Sequence, residues 1–199
     1  MSSDGNPRID IVFSIAELAY LLAGPARDGA AAHALHLVGA IETPDYVEVG
    51  RILLESRTSS LEDPVEQSMF ESMTAVVADA LRSARNVVSI NVPSDVDEQS
   101  FRAFAVRAAG EIVLLRLVEN GWLFASVITD EELLELLEST SLACGLGVVL
   151  ECGSPVLTGW AWDGASTTAT KGPDAQWTTT ELSGHDASVV MAEYVTATL

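Results

Sequence analysis

The chain is 199 residues long with 48% apolar residues, enough for a real core and too apolar for a disordered protein. Its formal charge is -19, from 29 acids against 10 bases, and that field repels nucleic-acid phosphates and anionic lipid alike. No run approaches the length of about 18 apolar residues that a membrane span needs, and Met1–Arg8 lacks the basic start and apolar core of a signal peptide. These readings predict a cytoplasmic protein with no nucleic-acid partner and no membrane insertion.

In chain order, Ile9–Phe13 alternates weakly and reads as a short strand. Ser14 stands three residues before Glu17, a capping box in which each side chain satisfies a free N–H at a helix start. Ile15, Leu18, Ala19 and Leu22 then follow at helical spacing until Gly24-Pro25 stops the helix. A looser helical stretch covers Ala30–Val38. After Thr43-Pro44, residues 46–55 carry apolar side chains at 46, 49, 52 and 53, again a helical period. Asp63-Pro64 supplies a cap with proline at the first helical position. The helix it opens is expected to be the longest, with Val65, Met69, Met73, Val76, Val77 and Leu81 on its packing face. Arg82 and Arg85 complement the carbonyl end of its dipole.

The period then changes. Val87–Val92 alternates and stops at Pro93, so it reads as a strand. Strands follow at 101–107, 112–118 and 122–127, then a cap at Thr129 with Glu132 and a helix to about Glu138. From Thr158 the same order returns: Thr158-Gly-Trp-Ala-Trp-Asp-Gly, Gln176-Trp177, a cap at Ser183, and the apolar helix Val189–Val195. The expected fold is α+β: an N-terminal helical block to residue 85, then an antiparallel sheet over 86–199. That sheet is built from a repeated ββ(β)α unit, 101–138 and 158–196, with helices on one face. No linker divides the chain, so one domain over 1–199, or two lobes in firm contact (1–85 and 86–199), is expected. Asn120-Gly121 and Asp163-Gly164 are tight-turn signals.

Chemistry is sparse. Cys144 and Cys152 have neither a C-x-x-C nor a zinc spacing and read as small buried hydrophobes. His33 and His36 share a helix face but lack a third ligand. Ser183, His185 and Asp186 are too close in sequence to converge as a triad, so capping is the better reading. Asp130, Glu131, Glu132, Glu135 and Glu138 complement a helix start and do not form a calcium loop. Phosphate-binding glycine motifs are absent. No catalytic, cofactor or metal residues are therefore assigned. Trp160 and Trp162 stand two apart and point to one face of a strand, as core or as an anchor for a partner if either is exposed.

Ser14–Leu22, Val49–Leu61 and the unit from Phe104 through Leu137 resemble the EspG family, cytosolic chaperones of actinobacterial type VII (ESX) secretion. The resemblance implies α/β lobes related by a pseudo-twofold, no enzymatic activity, no cofactor, and binding to the tip of PE–PPE substrate pairs. The expected partner is another protein, a secretion substrate or a toxin, with a homodimer open. The alternatives are an immunity-type inhibitor covering a basic toxin, and a small hydrolase or transferase using Asp/Glu with His185. The contact surface is expected on the strands around 158–181, whose threonines are polar and β-prone.

Overall fold

The computed structural model describes residues 11–23, 43–84, 87–92, 101–108, 110–118, 122–142, 148–153, 156–163, 167–171, 176–182 and 184–199. Among the described residues, nine strands form one antiparallel sheet: β1 (Ile11–Ser14), β2 (Val88–Val92), β3 (Phe101–Ala108), β4 (Glu111–Val118), β5 (Trp122–Ile128), β6 (Val148–Gly153), β7 (Val156–Trp162), β8 (Thr167–Lys171) and β9 (Trp177–Glu181). Their spatial order is β1-β5-β4-β3-β2-β6-β7-β8-β9. The described helices are α1 (Ile15–Leu22), α2 (Pro44–Ser60), α3 (Pro64–Ser83), α4 (Asp130–Leu137) and α5 (Gly184–Thr198). A π-helical turn, Glu138–Leu142, follows α4.

The strand order carries the repeat. From β2 the chain steps outward through β3, β4 and β5 and then forms α4; from β6 it steps outward through β7, β8 and β9 and then forms α5. The two meanders meet where β2 and β6 pair antiparallel, Val88 opposite Cys152 and Ile90 opposite Leu150. The repeating unit is thus one strand longer than the sequence suggests, because β2 and β6 belong to it.

Both repeat helices share one face of the sheet. Leu133 and Leu137 of α4, with Ala187, Met191 and Val195 of α5, pack on Val88, Ile90, Ala103, Ala105, Ile112 and Leu114. The opposite face of the first meander is also covered: α1 and α3 lay Leu18, Leu22, Val77 and Leu81 on Phe104, Val106, Val113 and Leu115. Burial on both faces explains why Ile112–Leu115 is an unbroken apolar run, since each such side chain contributes about 1.5–3 kcal/mol when removed from water.

The N-terminal part is not a helical block. The strand β1 comes first and joins the sheet edge, pairing Ile11 with Ala125 and Phe13 with Leu123. Ser14 then turns the chain into α1 through the capping box, its Oγ accepting from Glu17 N–H at 3.2 Å and its own N–H donating to Glu17 Oε2 at 2.7 Å. Asp63 caps α3 through Val65 N–H at 2.8 Å, and α3, with 20 residues, is the longest described helix.

The packing faces of α2 and α3 differ from the periodic reading. On α2, Val49, Ile52 and Leu53 are exposed, and Gly50 is the buried position, set against the Ala16 backbone of α1. On α3, Val65, Met69 and Val76 are exposed, while Thr74, Val77, Ala78 and Leu81 are buried. Gly50 permits the close approach of α2 to α1, and on each helix several of the larger apolar groups are left outside. The turn joining β3 to β4 uses Gly110 at φ 89°, a left-handed conformation that favours glycine.

Candidate functional site

Trp160 and Trp162 are core residues. The β6–β7 register sets Leu150 beside Trp160 and Val148 beside Trp162, on the face where α5 packs with Ala187, Met191 and Val195. Trp160 is 0% and Trp162 4% exposed, so neither indole reaches solvent, and their assignment as partner-binding anchors is corrected. Neither buried indole N–H has a hydrogen-bond partner among the described residues. Among the described side chains, Trp122 is the indole that reaches solvent, 44% exposed at the start of β5 opposite the exposed Val118.

Other sequence candidates do not converge. His33, His36, Cys144, Ser183 and both Asn120-Gly121 and Gly164 lie outside the described residues. Cys152 lies in β6. Asp130 is engaged by Arg107, and Glu138 accepts from Ser188 of α5, tying the two repeat helices together. Thr129 and Glu132 form the second capping box, at 2.9 and 3.2 Å. Among the described residues, no three His, Cys, Asp or Glu side chains come together as a metal site.

The surface built by the N-terminal helices is more informative. Where α1, α2 and α3 meet, Leu21, Leu54, Phe70, Ala75 and Ala78 line an apolar cavity of about 330 Å³, with Thr58, Glu71 and Arg82 at its polar positions. Thr74 also lines it, and its hydroxyl is buried with no partner among the described residues. The walls are held by charge. Glu17, 1% exposed, accepts from Arg57 Nη1 at 3.1 Å, and the Arg57 guanidinium lies 4.7 Å from the centroid of Phe70. One arginine of α2 thereby fixes both α1 and α3. Arg82 donates to the Leu21 carbonyl at the end of α1.

On the flank of α3 turned away from this cavity, Val65, Met69 and Val76 form a stripe at 65%, 41% and 39% exposure. Their separations of four and seven residues put them on one side of the helix. On the far meander, Thr178, Thr179, Thr180 and Glu181 of β9 are all exposed. Sequence reasoning missed the stripe as a surface because the same residues read as a packing face. The glycine inside α2, costly in a helix unless something needs the space, signals the close approach of α1 and not the stripe on α3.

No family model matches this chain, and no curated protein matches it. No described helix is long and apolar enough to cross a membrane.

Proposed function

We propose that this chain is a non-enzymatic, cytosolic protein-binding protein, a secretion chaperone or adaptor of the EspG type, whose partner seats on the outer flank of α3. The observation that carries the reading is the exposed stripe of Val65, Met69 and Val76. A helix already committed to the core through Val77 and Leu81 has no folding reason to hold three large apolar side chains in water. Covering such a row with an amphipathic helix is a familiar mode of recognition. Methionine at its centre adapts to the shape of what it meets. The net charge of -19 favours a basic or neutral partner surface and speeds its approach. The duplicated meander about β2 and β6 is in keeping with the pseudo-twofold that the resemblance implies.

The test is co-expression of the full chain with PE–PPE pairs from its own genome, followed by size-exclusion chromatography. A pair that co-elutes with the wild-type chain, and no longer does so with a Val65→Asp/Met69→Asp variant of unchanged unfolding midpoint, supports the reading. Failure of every pair to co-elute, or co-elution indifferent to the variant, contradicts it.

A further inference from the structure

The two edges of the sheet are treated differently. At one edge β1 closes the first meander, pairing antiparallel with β5, and its Ile11 and Phe13 are buried in the core shared with α1 and α3. At the other edge stands β9, the strand that corresponds to β5 in the second meander. Among the described residues, no strand occupies the position beyond β9 that matches β1.

An edge strand is a template for further pairing unless a lysine, a proline, a bulge or a covering element blocks it. Trp177–Glu181 contains neither lysine nor proline, and its register with β8 runs without a shift from Thr167↔Glu181 to Lys171↔Trp177. Thr178 and Thr180 on one side of the strand and Thr179 and Glu181 on the other are exposed. Its β-branched threonines suit a pleated ladder.

The composition of β9 also says which strand fits it. An antiparallel copy of β9 centred on position 179 sets Thr179 against Thr179, Thr178 against Thr180, and position 177 against Glu181. Threonine pairs of this kind are favourable across strands, and the only charge in the segment, Glu181, never faces its like. The required direction is antiparallel, as β1 is to β5.

We propose that β9 is a self-pairing edge, through which two copies of the chain join their sheets antiparallel about Thr179. This interface is independent of the α3 stripe. Because each copy carries a charge of -19, long-range repulsion opposes the contact, and association tightens as salt screens it.

The test uses two variants of equal charge, Thr179→Lys and Thr178→Lys, in the full chain. Sedimentation velocity over a concentration series, at low and high salt, gives the dimer dissociation constant. Hydrogen exchange then locates the interface. The wild type is expected to form dimers more readily at high salt, with exchange at 177–181 slowing as concentration rises. Thr179→Lys, which sets like charges face to face across the axis, is expected to weaken the dimer about tenfold. Thr178→Lys faces a threonine and is expected to stay within about threefold of the wild type. A wild type that stays monomeric, a dimer equally affected by both variants, or concentration-dependent protection located outside 177–181 overturns the proposal. A β9 that is protected only when a different protein is added overturns it too.

Discussion

Gly50 is the position where the packing of the N-terminal helices is most exposed to test. A Cβ added there stands 1.9 Å from the Ala16 carbonyl oxygen and 2.5 Å from its carbon. Both are backbone atoms of α1, so no rotamer change relieves them. Carbon–oxygen contacts close no nearer than about 3.3 Å, so Gly50→Ala must drive α2 away from α1 by about 1.4 Å. The same movement draws Arg57 away from Glu17, which it now reaches at 3.1 Å. Overpacking of this kind costs about 1–3 kcal/mol, and weakening the ion pair around a buried carboxylate adds about 2 kcal/mol. Alanine returns about 1 kcal/mol of helix propensity. The expected net loss is about 2–4 kcal/mol, large for a single substitution. Urea unfolding followed by circular dichroism measures it. A Gly50→Ala protein as stable as the wild type, or more stable, would refute the close approach of α1 and α2.

Arg57→Ala removes the partner of a carboxylate that is 1% exposed; Arg57 itself is 34% exposed and Glu17 keeps its bond to Ser14 N–H, so the expected cost is about 2 kcal/mol. A double-mutant cycle with Glu17→Gln should show a clear coupling, and additive losses would contradict the pair. Trp160→Ala should cost about 3–5 kcal/mol of stability, and partner affinity measured on the folded fraction should be unchanged; a selective binding loss would return the indole to the interface. Met69→Asp should alter stability by no more than about 0.5 kcal/mol, as for an exposed helix site, and a large drop in unfolding midpoint would mean the stripe is packed. Hydrogen bonding from Arg51, at 2.5 and 2.8 Å, holds the Glu48 carboxyl below its ordinary value of 4.5. Its contribution to α2 is thus present above that value and lost as pH falls through the lower folded one. A resonance titration of Glu48 should show a depressed midpoint that returns towards the ordinary value in Arg51→Ala.

Local signals were legible in the sequence. Ser14 with Glu17, Asp63 before Pro64, and Thr129 with Glu132 mark helix starts because the cap lies within three residues of what it bonds. The repeat was also legible, since strand, turn and helix order is a one-dimensional pattern. Faces were not. The periodicity of α3 groups Val65, Met69 and Val76 with Val77 and Leu81, and only the neighbours decide which side is buried. The buried side of α3 includes Thr74 and Ala78, and α2 meets α1 at Gly50, residues that hydrophobic counting ignores. The Glu17–Arg57 pair spans 40 residues and has no local signature. The tryptophans failed as anchors for a related reason. Their spacing fixes that they share a face, but α5, which covers that face, follows 22 residues beyond Trp162.

A partner seated on the outer flank of α3, as proposed, would leave the sheet and its cores intact. Hydrogen–deuterium exchange on the full chain, alone and in complex with a co-purified partner, tests it most directly. Protection is expected to concentrate along α3 between Val65 and Val76, with Trp160, Trp162 and the strands of the first meander unchanged. Protection confined to the strands of 158–181, with α3 exchanging as it does in the free chain, would contradict it.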